Sequence, residues 1–326
     1  MSTLIKISTL QFGSLQLIKR FSVLILLCCP ILSFASNSIA IFYSAATSTN
    51  LEFVESFKAE ISSSSRVKLR ILDLSELDKP VTVESGELVI ALGVKALEVA
   101  SKLKRSVPVI GVFTPLPVFN HLLETSHRDL GNFSAIVLDQ PYARQLKLIK
   151  TVMPEAKKIG VLLGPLSLKY ADVLKEEADE ENLVLDLEFI GQESDLIAQL
   201  NKTLESSDVL LAIPDALIYN RETAQPLLLT SYRHQKPIFG YSAAYVRAGA
   251  IAAVFSTTKQ LAKQVAEITT KDQTVAVLPP PQVPKYFSVV VNYQVARSLG
   301  ISVADEESIL KRIRLSEANE HEPAKN

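Results

Sequence analysis

One feature constrains this chain more than any other: short runs of unbroken apolar residues recur along it, separated by stretches of helical periodicity. The runs are Ile39–Tyr43, Lys68–Leu72, Leu88–Leu92, Val107–Phe113, Ala135–Leu138, Lys158–Leu163, Leu183–Ile190, Val209–Ile213, Pro237–Tyr241 and Ile251–Phe255. A strand with one wet face alternates apolar and polar residues. A strand covered on both faces does not, so these runs mark parallel sheet enclosed by helices. Between them, Leu51, Val54, Phe57 and Ile61 share one helix face after Thr49 or Asn50 as a cap. Leu146, Ile149, Val152 and Met153 share another, which Pro154 ends. Ala171, Leu174 and Ala178 make a third face, and Leu261, Val265 and Ile268 a fourth. Strand alternating with helix predicts βαβ units and a doubly wound α/β fold.

These strands are too many for one ordinary sheet, which holds roughly four to six, so two sheets are expected. An internal echo agrees with that. Val107-Pro-Val-Ile-Gly-Val and Lys236-Pro-Ile-Phe-Gly-Tyr each set a Pro at the start of an apolar strand and a Gly at the same offset. The expected organisation is a first lobe over 36–138, completed by about 253–282, and a second over 139–252, completed by about 283–313. The chain is expected to cross between them at Leu138-Asp139-Gln140-Pro141. Residues 314–326 are charged and polar and are expected to be a disordered tail.

Residues 1–35 have the make-up of a cleaved export signal. Lys6, Lys19 and Arg20 precede an apolar run from Phe21 to Phe34, and Ser33 and Ala35 supply small residues for cleavage after Ala35. The apolar run is shorter than the roughly 20 residues a membrane span needs. The mature chain is therefore expected to be periplasmic, without stable membrane insertion. Both cysteines, Cys28 and Cys29, lie within the signal, so no disulfide or thiolate metal site is expected.

Signatures of common chemistries are absent from the sequence. The turn after the first strand is Tyr43-Ser-Ala-Ala-Thr-Ser, with none of the glycines of a dinucleotide-binding turn. There is no GxxxxGK[ST] and no GxSxG. His121 and His127 are six residues apart, the wrong spacing for two metal ligands on one helix face. A formal net charge of −1, with Lys and Arg dispersed, gives nucleic acid no footprint. No catalytic residue, cofactor or metal is expected.

In open α/β sheets, ligands bind beyond the carboxyl ends of the strands. The candidate ligand-binding residues at those ends are Tyr43, Ser44, Gly93, Val94, Lys95 and Thr114 in the first lobe. In the second they are Asp215, Tyr241 and Ser242, beside Pro214. Each has a plainer alternative. Tyr43 and Tyr241 could close a sheet edge, and Ser242 and Asp215 could cap helices. Lys95, in a helix's first turn where the dipole is positive, either points to solvent or offsets an anionic group.

From Gln145 onward the chain resembles the ABC transporter substrate-binding protein family whose characterised relatives include aromatic amino-acid binders. Gln145-Leu-Lys-Leu-Ile-Lys, Met153-Pro-Glu-Ala-Lys-Lys-Ile-Gly-Val-Leu and Asp208-Val-Leu-Leu-Ala-Ile-Pro-Asp carry the resemblance. So do Lys236-Pro-Ile-Phe-Gly-Tyr-Ser, Tyr245-Val-Arg-Ala-Gly-Ala and Pro284-Lys-Tyr-Phe-Ser-Val-Val-Val-Asn. It implies a type I periplasmic-binding fold: two doubly wound lobes, three crossovers, and hinge closure on a small ligand. It also implies an ABC permease and ATPase in the inner membrane as partners, with cleft contacts near the candidate residues above. Relatives tend to have a small hydroxyl residue and Pro where this chain has Gly93-Val94-Lys95, and often an Asp-Pro step where it has Thr114-Pro115. Amino acid, short peptide, cofactor precursor and small anion stay open as ligands. A sensing subunit for a membrane receptor and an exported enzyme stay open as other uses of the scaffold.

Overall fold

The structure, a computed structural model, describes residues 37–62, 67–76, 81–271 and 277–321. The signal segment expected at 1–35 lies outside the described residues. The first sheet has five parallel strands in the order β2-β1-β3-β4-β5: β1 Asn37–Tyr43, β2 Val67–Asp73, β3 Leu88–Leu92, β4 Val109–Thr114 and β5 Phe133–Val137. Helices α1 Ser48–Ile61, α2 Val94–Ser101 and α3 Leu116–Ser126 connect them. The second sheet runs β11-β10-β9-β8-β6-β7. Its strands are β6 Lys158–Leu163, β7 Val184–Phe189, β8 Val209–Leu211, β9 Ile238–Gly240, β10 Ala252–Phe255 and β11 Ser288–Val291. Only β11 pairs antiparallel, against β10. The helices of this half are α4 Tyr142–Val152, α5 Ala171–Glu180, α6 Leu196–Ser206, α7 Arg221–Arg233 and α8 Ala243–Ala248, then α9 Thr258–Lys271, α10 Tyr293–Ser298 and α11 Glu306–His321.

Each sheet is covered on both faces. In the first, Phe42, Val89 and Ala135 point into one core while Ile41, Ile90 and Ile136 point into the other. The five residues of β3 are all buried, which is why the run reads as unbroken. The second sheet likewise divides Val161 and Val254 from Leu162 and Ala253. The result is two doubly wound α/β lobes, as the alternation of strand and helix predicts.

The chain crosses between lobes three times, and the second crossing differs from the expected boundary. Ala252–Phe255 pairs with β9 and β11, so it belongs to the second sheet and the first lobe resumes after it rather than at about 253. α9 then packs on α1. The segment near Gln282 runs beside β5, with Val137 N–H donating to Gln282 O at 3.0 Å and Gln282 N–H to Ala135 O at 2.8 Å. The chain then returns to the second sheet as β11, a short antiparallel edge strand whose burial alternates.

Two further differences concern helices. α1 begins at Ser48, capped by Thr47, whose Oγ1 accepts from Asn50 N–H at 3.2 Å. Its inward face therefore holds Phe53, and Leu51 is exposed. The tail expected to be disordered from 314 is helical as far as His321, as the last turns of α11. Its anchor is Glu317, whose carboxylate accepts from Arg144 Nε at 2.6 Å and from Nη2 at 3.3 Å. A charged composition hid this, because the stabilising contact is an ion pair with a residue distant in sequence.

Candidate functional site

A cavity of about 200 Å³ lies where the crossovers meet the carboxyl ends of both sheets. The first lobe and first crossover contribute Pro115, Leu138, Asp139 and Gln140, and α4 contributes Tyr142 and Gln145. Pro214, Tyr241, Ser242 and Phe255 come from the strand ends of the second sheet, and Ser256 from the second crossover. The wall is mostly apolar and aromatic, with a few polar groups, as small-ligand sites are.

Local structure positions each group. β4 ends in a bulge between Val112 and Thr114. Phe113 there has φ +58°, a left-handed conformation costly for an aromatic residue, and its ring meets Phe53 edge-on at 5.6 Å. The bulge turns the chain so that Leu116 N–H, at the start of α3, donates to Asp139 Oδ2 at 2.6 Å. Burial pushes the Asp139 carboxyl above its ordinary range, against the pull of that N–H. The same burial pushes the neighbouring Tyr142 phenol well up, with the Asp139 charge adding to the effect. Gln145 Nε2 donates to Gln140 O at 3.2 Å, and its Oε1 is buried without a partner.

Behind Tyr241 stands a cluster of tyrosines. Tyr241 stacks on Tyr245 at 5.5 Å, and Tyr219 meets both edge-on at 6.0 and 5.9 Å. The hydroxyls of Tyr219 and Tyr245 are buried without partners, and burial raises both phenols. One contact joins the lobes elsewhere: Asn120 Nδ2, on α3, donates to Tyr170 Oη at 3.4 Å.

Of the residues expected from the sequence, Tyr241 and Ser242 line the cavity, and Pro115 and Pro214 do so beside Thr114 and Asp215. Ser242 also caps α8, accepting from Tyr245 N–H at 3.2 Å. Asp215 is buried and acts as a loop brace. Its Oδ2 accepts from Leu166 N–H, Ser167 N–H and Ser167 Oγ at 3.1, 3.0 and 2.9 Å, and its Oδ1 accepts from Leu217 N–H at 3.0 Å. What it caps is a turn, since α7 starts only at Arg221. Thr114 is fully buried. Tyr43 closes the β1 edge of the core, and Ser44 follows it half-buried. Gly93 holds φ +85° at the start of α2, a conformation that favours glycine, and Val94 follows it half-buried. Lys95 is exposed. Asp215, Thr114, Tyr43, Ser44, Gly93, Val94 and Lys95 therefore do not line the cavity.

Sequence reasoning missed Asp139, Gln140, Tyr142, Gln145, Phe255 and Ser256. Leu138–Pro141 was legible as a crossing. The signal unused there was its composition, an acid and an amide where the chain leaves a sheet's carboxyl end.

A family model described as "ABC transporter substrate binding protein" matches residues 73–314. The chain belongs to that family. That family comprises the non-catalytic substrate-binding components of ABC transporters. A "Tyrosine-binding protein" of Clostridioides difficile (strain R20291) is 24% identical over 173 residues, 52% of this chain and 49% of the relative. The alignment thus spans about half of that relative's length. Among solved structures, a Streptococcus pneumonia ABC domain in complex with L-Trp superposes with a TM-score of 0.56 at 18% identity, covering 85% of this chain and 98% of that one. A ligand-free, open substrate binding protein with adhesive properties from Clostridium difficile gives 0.64 at 16% identity, covering 83% and 97%. Both likenesses are of fold. Among the described residues of this family member, no helix is long and apolar enough to cross a membrane.

Proposed function

We propose that the protein is the periplasmic solute-binding component of an ABC importer, exported through a cleaved signal at 1–35. It captures an amino acid or related small organic molecule in the cavity between its lobes and presents it to an inner-membrane permease and its ATPase. The observation that carries this reading is the composition of the cavity wall, which draws on both sheets and two crossovers. A ligand touching Pro115 and Asp139 on one side and Tyr241 and Ser242 on the other links the lobes. It therefore favours whichever hinge angle brings all of them into contact. The Trp and Tyr named for the relatives support an amino acid with an apolar side chain. The cavity is smaller than the roughly 300–1,000 Å³ of sites for drug-sized molecules, which favours a ligand of amino-acid size over a peptide.

The test is a thermal-shift screen of residues 36–326, refolded to strip bound ligand, against amino acids, short peptides, vitamins and oxyanions. A ligand at 100 times its Kd stabilises by about 2.7 kcal/mol, roughly 5–10 °C for a chain of this size. Tyr241→Ala should abolish the shift for the ligand found. A library in which nothing shifts the transition counts against the reading, as does a hit that Tyr241→Ala leaves unchanged.

A further inference from the structure

Asp139 is the one charged side chain among the described residues lining the cavity, and no Lys, Arg or His lines it. Its carboxylate has a single N–H from another residue, that of Leu116, and no cation beside it. A carboxylate taken out of water without a counter-charge is costly, and the cost is relieved by a cation brought to it. Gln145, 4% exposed in the same wall, has an amide oxygen with no donor. The Tyr142, Tyr241 and Phe255 rings complete the wall, and aromatic faces attract an ammonium and reject an anion. Both unmet polar groups named here call for a hydrogen-bond donor, the carboxylate for a cationic one, and no side-chain cation lining the cavity awaits a ligand carboxylate.

We infer that the cavity selects its ligand by a protonated amine held at Asp139, and that a ligand carboxylate is dispensable. The class is a primary amine on a compact apolar or aromatic body, whether or not it also carries a carboxylate. Gln145 Oε1 is the second acceptor, reached after a small turn of its side chain. This deepens the importer reading and rests on it.

The test compares three matched sets on the wild-type protein by titration calorimetry at neutral pH. They are amino acids (phenylalanine, tyrosine, leucine), the same molecules without the carboxylate (phenethylamine, tyramine, isoamylamine), and the same without the amine (3-phenylpropionate and its analogues). The amines are expected to bind, the best of them within about tenfold of the best amino acid, and the amine-free acids at least a hundredfold more weakly. Asp139→Asn keeps an acceptor for Leu116 N–H and removes the charge, so amine affinity should fall at least tenfold in a protein that still unfolds cooperatively. Should that variant not fold, the wild-type comparison stands without it. Amine-free acids binding as tightly as amines, amino acids binding while their decarboxylated forms do not, or Asp139→Asn leaving the affinity unaltered would each overturn the inference and leave the importer reading intact. No binding by any of the three sets, with a hit of other chemistry in the wider library, overturns the inference alone. No hit anywhere overturns both.

Discussion

Arg144 reaches Glu317 across most of the second half of the chain, with its Nε 2.6 Å from the Glu317 carboxylate. The same guanidinium lies over the Phe287 ring, 3.9 Å from its centre. Through Nη1 it donates to Gln140 Oε1 at 2.8 Å and to Pro284 O at 2.9 Å. Gln140 in turn donates to Ser256 Oγ at 3.0 Å, and Ser256 to Tyr286 O at 2.6 Å. All three crossovers are thus tied through one arginine, and the C-terminal helix is tied to them.

Arg144→Met should therefore cost about 3 kcal/mol or more, the usual penalty for breaking a largely buried ion pair. Deletion of residues 314–326 should cost a comparable amount. Urea unfolding of the two variants measures this. A midpoint unmoved in both would show that α11 does not hold the crossovers.

Ligand capture and stability should oppose each other at Asp139. Its carboxyl is raised in the folded protein by burial, so between the unfolded and the folded pKa the native state binds more protons than the unfolded chain. Stability then falls as pH rises through that window. Asp139→Asn should raise the ligand-free unfolding midpoint at pH 7, and the difference should vanish below pH 4. A variant less stable than wild type at pH 7 would count against it.

Glu87 should act in the opposite sense. Burial pushes its carboxyl up. The Arg70 hydrogen bond, the Glu84 N–H, the Arg70 charge and the Ser38 hydroxyl together outweigh that and hold it below the ordinary carboxylate range. Arg70 Nη2 lies 2.6 Å from it. Its contribution is fully present above the unfolded glutamate pKa of about 4.3 and is lost as pH falls through the lower folded value. Glu87→Gln should therefore destabilise most at neutral pH and least in acid, seen as converging denaturation curves below pH 4. Arg70→Leu should cost about 1.5–3 kcal/mol at pH 7, the range for hydrogen bonds to charged groups.

Gly164 is fixed by space. A Cβ there would stand 2.5–2.6 Å from the three carboxyl atoms of Asp215. The carboxylate cannot retreat without releasing the N–H groups of Leu166, Ser167 and Leu217. Gly164→Ala should cost about 1–3 kcal/mol, as overpacking does, and should loosen the loop beside Pro214. Differential scanning calorimetry and hydrogen exchange over 164–168 would show it. Wild-type stability and protection would mean that the brace is dispensable.

What the sequence determined by itself is the architecture. Leu88–Leu92 and Lys158–Leu163 are legible to the residue because a strand buried on both faces must be apolar throughout, whatever it packs against. The helix faces of Leu146, Ile149 and Val152 and of Leu261 and Val265 follow in the same way from local period and burial. That Tyr241 and Ser242 stand at a strand's carboxyl end, where the cavity lies, was legible because a strand end is itself a local feature. Only the tertiary structure decided the rest. β11 pairs antiparallel with β10 at the sheet edge, and α11 is held by Arg144, so where each one packs is set by partners distant in sequence. Asp139 and Gln145 become cavity walls because two crossovers and the strand ends of both sheets, distant in sequence, converge there, and Asp215, equally a polar residue at a strand end, turns aside to brace Gly164-Pro165-Leu166-Ser167. Periodicity reports how much of a residue is buried. Which partner buries it depends on contacts between segments far apart in the chain, and those exist only once it has folded.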